Sequence, residues 1–413
     1  HSTVPLSFLS MDLLHTILLL IASGPCLCDP APANPTPTLG SLASAPANPT
    51  PTLGSLASLR GFFFGAAVES TVLFDDAGYR EIVKAGEFNI GTPMNDLKMK
   101  ATEPANNVFD FTKGDEIVQL MVDSNMTVRG HNLVWVAHNP AWLVEEQYML
   151  TDEELNDIMI NHIKTVASHY APYHLYSWDV VNEMVAEAPN SWCTGDLQDS
   201  WQCNLKVKTT SDDFVNYTRC SGYTNDDTYI HRALKAARLA DPNAKLFLNE
   251  YGVHNEVFKF DMLEAMARDL SSEGLLDGIG FQLHVDSSND GKLLNETALR
   301  AVFGRISDLD LEIHITEMTI KPDDAMFESC NSTEEKVAIE GEAYAMALGI
   351  CLNEFDGCKS FETWYWTDKY MFSGDYDEAD VPWGSFWYDT NLQAKDSRQY
   401  AADMLFGDAI ATL

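Results

Sequence analysis

Two short runs in this chain end in a carboxylate in the same way: Trp178-Asp179-Val180-Val181-Asn182-Glu183 and, far downstream, Ile313-His314-Ile315-Thr316-Glu317. Each is rich in β-branched and apolar residues and closes on a glutamate. A buried barrel strand packs its apolar length inside and presents its last residues at the open rim, so each run would deliver one reactive group to a shared face. Two glutamates delivered this way suit acid/base chemistry on a glycosidic bond, where one carboxyl donates a proton while the other stays ionised. Taken singly, either glutamate reads equally well as a surface residue beyond an ordinary strand. The pair, with Asn182 directly before Glu183, favours chemistry.

The elements that would position these residues are legible in the pattern. From Leu59 onward, short apolar runs alternate with longer amphipathic stretches, which is the signature of repeated βα units and a parallel sheet. Strands are expected near 61–66, 87–92, 127–135, 175–182, 245–249, 278–284, 312–317 and 360–366. Helices are expected over 152–169, capped by Thr151, and over 227–240, stopping at Asp241-Pro242. The fold class is therefore α/β, a (β/α)8 TIM barrel forming a single catalytic domain over 59–413, with its site at the C-terminal ends of the strands. A chain of 413 residues accommodates one such barrel.

Four segments carry a resemblance. Arg129-Gly130-His131-Asn132-Leu133-Val134-Trp135, the run from Trp178 to Glu183, Gly278-Ile279-Gly280-Phe281-Gln282-Leu283-His284 and Ile315-Thr316-Glu317 resemble, in order, the active-site strands of family 10 glycoside hydrolases, the endo-β-1,4-xylanases. The resemblance spans residues 59–410. It implies that Glu183 is the general acid/base and Glu317 the nucleophile of a retaining hydrolase. It also implies that Asn95 and Lys98 bind the sugar on the non-reducing side of the cut. His131 would hold a sugar hydroxyl and Trp135 would form a wall, the two falling on one face of the third strand. Asn182 would bond the 2-hydroxyl of the reacting sugar. Gln282 and His284, alternating onto one face of strand six, would orient Glu317 and keep it ionised. Trp364 would floor the reacting sugar. The plainer readings stay open beside these: a solvated Lys98, a core His131, a core Trp364.

Composition bounds the partners. With 62 acidic against 26 basic residues the formal charge is -36, which repels nucleic acid and anionic membrane surfaces and leaves a neutral or weakly acidic polysaccharide compatible. The two-carboxylate chemistry needs no metal and no organic cofactor, and the cysteine spacing does not suggest zinc, since no histidine cluster accompanies it. Residues 1–28 read as upstream residues before Met11 followed by a secretory signal, whose apolar stretch Thr16-Ile17-Leu18-Leu19-Leu20-Ile21-Ala22 is too short to span a bilayer. Cleavage near Cys28 would yield a secreted, extracellular monomer; a membrane anchor is the alternative. Residues 29–58 read as a linker rich in Pro, Ser and Thr, in which 31–44 recur unchanged as 45–58.

Six cysteines remain after such cleavage: Cys193, Cys203, Cys220, Cys330, Cys351 and Cys358. The resemblance to fungal members pairs Cys351 with Cys358. The other four allow three connectivities, with Cys193 to Cys203 as the local choice. Asn125, Asn216, Asn295 and Asn331 each open an Asn-x-Ser/Thr sequon.

The chain departs from the family at the second sugar site on the non-reducing side. Family members carry Glu-Asn-x-Met-Lys-Trp where this chain has Met94-Asn95-Asp96-Leu97-Lys98-Met99. Val136-Ala137-His138 replaces His-Ser-Gln, and Met371-Phe372 stands where a Ser-Trp lid is usual. Loss of polar partners is expected to weaken discrimination there and to admit glucose against the thioether of Met94. Two further functions remain as alternatives: hydrolysis of another β-linked glycan or glycoside, and a non-catalytic glycan-binding barrel.

Overall fold

The computed structural model describes residues 51–186, 215–220, 228–286, 294–321, 332–370 and 386–407. Eight parallel strands follow one another in the order expected: β1 Phe63–Val68, β2 Ile90–Pro93, β3 Thr127–Trp135, β4 Ser177–Asn182, β5 Lys245–Glu250, β6 Gly278–Phe281, β7 Glu312–Lys321 and β8 Cys358–Thr363. Each pairs with its neighbour, β8 returns to β1, and β6 pairs with β7 from Gly278↔Glu312 to Phe281↔Ile315, so the sheet is a closed barrel. The strands are buried along nearly their whole length because helices cover them outside and side chains fill them inside. Gly130 exists for this packing. A Cβ there would stand 2.3 Å from the ring of Trp178, which is fully buried.

The helices begin where their capping residues say they should. Asp152–Tyr170 opens on a capping box in which Thr151 Oγ1 accepts the Glu154 N–H while the Glu154 carboxylate accepts the Thr151 N–H. Tyr229–Ala240 is capped by Thr228 and ends at Asp241, before Pro242. Among the described residues no helix is long and apolar enough to cross a membrane. Cys351 and Cys358 form a disulfide, tying the end of helix Thr333–Glu354 to the start of β8.

Three expectations need correction. The linker does not run to residue 58, because helix α1, Leu53–Leu59, buries Leu53, Leu56 and Ala57 beneath the barrel. Its Gly54 N–H donates to Glu87 O at 2.7 Å, just ahead of β2, and Arg398 of the last helix, Asp396–Phe406, binds Glu87 and the Pro51 carbonyl. Burying each leucine contributes about 1.5–3 kcal/mol, enough to hold a helix too short to stand alone. The sixth strand does not run to His284. It stops at Phe281, Leu283 takes a left-handed φ of 57°, and His284–Asp286 forms a separate short strand against the extension of β7. The eighth strand starts and ends earlier than 360–366, so Trp364 stands just beyond it. The signal segment, Cys193, Cys203, Cys330, Asn331 and Met371-Phe372 lie outside the described residues.

Candidate active site

At the C-terminal ends of the strands lies a cleft of about 440 Å³ lined by both Glu183 and Glu317. Glu183 directly follows β4 and has a φ of 54°, a left-handed conformation that costs a non-glycine residue roughly 1–2 kcal/mol. Its N–H donates to Asn249 O at 2.9 Å, which fixes the turn and aims the carboxylate at the cleft. Glu317 lies within β7 and is 5% exposed, whereas Glu183 is half-buried.

The two carboxylates are joined by three amides. Gln282 Nε2 donates to Glu183 Oε1 and to Asn182 Oδ1, both at 3.2 Å. Asn249 Nδ2 donates to the same Asn182 oxygen at 2.9 Å and to Glu317 Oε1 at 2.7 Å. Thr316 Oγ1 donates to Asn249 Oδ1 at 2.7 Å and so decides which way that amide faces. Gly280 makes room for it, since a Cβ there would sit 2.3 Å from Asn249 Oδ1. On the other side of Glu183, Trp135 Nε1 donates to its Oε2 at 2.9 Å. Every oxygen of the pair thus has a fixed neighbour, which is what preorganised catalysis requires.

Opposing electrostatic effects act on Glu317. Burial alone would raise the Glu317 carboxyl; the hydrogen bond from His284 and the nearby His131 and His284 outweigh it and hold the group below the ordinary carboxylate value. His284 Nδ1 lies 2.8 Å from Thr319 Oγ1. With that hydroxyl donating to Nδ1, the ring proton is on Nε2, 3.4 Å from Glu317 Oε2. Beneath them Arg129 and Asp179, both fully buried, form a two-contact ion pair, and His131 Nδ1 lies 2.9 Å from Asp179 Oδ2. Burial would raise Asp179, but the guanidinium and the imidazole reverse that and hold it low.

The remaining expected residues face the same cleft with one exception. Lys98 is buried, donates to Asn95 Oδ1 at 3.0 Å, and lies 4.9 Å and 5.5 Å above the rings of Trp135 and Trp364. His131 and Trp135 both reach the cleft although a bulge between His131 and Val134 breaks the simple alternation expected of β3. His131 is also a core residue, 2% exposed, its ring edge-on to Trp364 at 5.2 Å. Gln282 is the exception. Strand alternation puts it beside His284 on Glu317, yet the turn at Leu283 separates the two, so His284 meets Glu317 while Gln282 binds Asn182 and Glu183 from behind the cleft.

The sequence profile of Glycosyl hydrolase family 10 matches residues 52–404. The chain belongs to that family. It is 32% identical over 327 residues to endo-1,4-beta-xylanase C of Phanerodontia chrysosporium, covering 78% of this chain and 72% of that one. Native xylanase 10B from Thermotoga maritima superposes with a TM-score of 0.71 at 27% identity, covering 87% of this chain and 99% of that one. Xylanase 10B from Thermotoga petrophila in complex with xylobiose does so at 0.69 and 26%, covering 88% and 99%. The protein is thus a glycoside hydrolase.

Sequence reading overlooked several residues of this family 10 site. Asn249 is the most important, and a signal existed: Leu248-Asn249-Glu250 closes β5 as Val181-Asn182-Glu183 closes the β4 run. Glu69, directly after β1, is another apolar run ending in a carboxylate, and it lines the cleft. His138 lines it too and stacks on Trp135 at 4.9 Å. Nothing in the sequence announced that contact.

Glu362 of β8 is fully buried, accepting from Thr92 Oγ1 of β2 at 2.8 Å and from Ser360 Oγ at 3.0 Å. Burial pushes its carboxyl from 4.5 up to about 7, against the pull of Arg129. A raised folded value means that its contribution to stability is full below the unfolded value and is lost as pH rises through about 7. Glu362→Gln removes the titration. Relative to the wild type, the variant is expected to gain on the order of 3 kcal/mol between pH 4 and pH 8. Denaturant unfolding of both proteins across that range checks it; a pH-independent difference excludes a neutral buried carboxyl.

Proposed function

We propose that this glycoside hydrolase is a secreted endo-β-1,4-xylanase that acts as a monomer and cuts internal xylosidic bonds with retention of anomeric configuration. The observation that carries this reading is the placement of Glu183 and Glu317 on one cleft in unequal surroundings, one at the rim and one buried and held ionised. The names of the relatives supply the substrate class. Glu317 attacks the anomeric carbon as the bond to the leaving sugar breaks, and Glu183 gives its proton to the departing oxygen. Water then loses a proton to Glu183, attacks the same carbon and frees Glu317. The 2-hydroxyl of the reacting sugar falls to Asn182, whose carbonyl oxygen is already engaged by Asn249 and Gln282 and whose NH2 is therefore turned to the cleft.

Product analysis on xylan, mixed-linkage glucan and soluble cellulose, side by side, tests the substrate. Release of xylo-oligosaccharides from xylan alone supports the reading, and inactivity on xylan ends it. A second reading, hydrolysis of a glucose-containing β-glycan, is favoured by Met94, which puts a buried thioether on the cleft wall. It predicts comparable turnover on the mixed-linkage glucan.

The mechanism has its own test. Glu183→Ala should lower turnover of aryl β-xylobiosides by roughly 10²–10⁴-fold, with the smallest effect on the first step where the leaving group needs no proton. Added azide, which needs no general base, should speed the second step and yield the β-glycosyl azide. An α-azide would show inversion.

A further inference from the structure

The expectation of a weakened distal sugar site rests on a missing carboxylate at Met94. The structure places one beside it. Met94 N–H donates to Val68 O at 3.0 Å and Val68 is in register with Pro93, so Met94 and Glu69 are neighbours across the ends of β1 and β2. Glu69 is half-buried and lines the same cleft. Its Oε2 accepts from Asn95 Nδ2 at 2.9 Å and its Oε1 from Thr71 Oγ1 at 3.1 Å, while Asn95 Oδ1 accepts from Lys98 Nζ at 3.0 Å. The row runs carboxylate, amide, ammonium, and ends over the rings of Trp135 and Trp364.

We propose that Glu69 is a specificity-determining residue that binds hydroxyls of the second sugar on the non-reducing side, supplying from β1 the carboxylate absent from position 94 of β2. An ionised carboxylate has about four acceptor positions. The two hydrogen bonds shown here leave capacity for two vicinal hydroxyls, which an equatorially substituted pyranose presents as a pair. Met94 then serves as the apolar wall of that site, and the row through Asn95 to Lys98 fixes the side chains on either side of the sugar. This inference rests on the glycanase reading above and deepens it.

The test compares an aryl β-xylobioside, which fills the distal site, with an aryl β-xyloside, which does not. Glu69→Gln should lower the ratio of their kcat/KM values about 10-fold to 100-fold, the range of a hydrogen bond to a charged group. On an aryl xylobioside with the distal hydroxyls replaced by hydrogen, the wild type should lose a similar factor and Glu69→Gln little more. A residue that merely orients Asn95 would not produce that non-additivity. The double variant Glu69→Ala, Met94→Glu should recover part of the ratio lost in Glu69→Ala, because it returns a carboxylate to the neighbouring strand. An unchanged ratio, or strictly additive losses, overturns the role of Glu69. A wild type inert on both aryl substrates overturns the xylanase reading, and this inference with it.

Discussion

Replacing Glu317 by glutamine is expected to lower kcat by at least about 10⁴-fold on every substrate, whatever its leaving group, because among the described residues of the cleft Glu317 is the buried carboxylate held ionised for the bond to the anomeric carbon. The contrast with Glu183→Ala is the informative part. A good leaving group relieves the need for an acid and does nothing for a missing nucleophile. The amide also cannot satisfy its surroundings: Asn249 Nδ2 and His284 both donate toward Glu317, and glutamine presents an NH2 to one of them. The loss is catalytic only if the variant still folds, which a denaturant midpoint close to that of the wild type would show. Residual activity within tenfold of the wild type would remove Glu317 from the mechanism. In the wild type the depressed carboxyl is also expected to set the acid limit. Activity needs the ionised form, so kcat/KM should fall only as pH drops below the ordinary carboxylate value of 4.5.

The second large effect is on stability. Arg129→Met should cost about 3–5 kcal/mol, because it leaves the buried carboxylate of Asp179 without its guanidinium. Two further groups feel the loss: Arg129 Nη1 lies 2.8 Å from His314 Nδ1, and its charge opposes the upward push of burial on Glu362. Adding Asp179→Leu to Arg129→Met should return part of the loss, since the stranded charge is gone. Urea unfolding of the single and double variants measures this coupling. Additive losses would mean that the pair contributes nothing beyond its two side chains' packing.

The barrel was legible because parallel strands buried on both faces must be short continuous apolar runs, and few other elements look like that. Runs such as 127–135 and 245–249 appear nearly unchanged as β3 and β5. What failed was local backbone. Leu283 in a left-handed conformation has no sequence signal, since leucine is a poor choice there, and it alone separates Gln282 from His284. The site was half legible for a related reason. Asn182-Glu183 and Asn249-Glu250 look alike in sequence, yet Glu183 turns into the cleft while Glu250 is fully buried, 3.0 Å from Lys259 Nζ and accepting the Val185 N–H at 2.8 Å. Only tertiary partners tell them apart. Helix α1 hid for the same reason, because seven residues, six of them from a repeat rich in Pro, Ser and Thr, become helical only where there is a surface to pack on.

That helix sets the direction in which the molecule can be held. It lies across the N-terminal ends of β1 and β2, and the Pro51 carbonyl is fastened by Arg398, so the chain joins the barrel at the end opposite the cleft. A bead or a cell wall fastened at Pro51 would therefore sit behind the catalytic mouth. Held by that end, the protein would point its cleft outward at a long insoluble fibre.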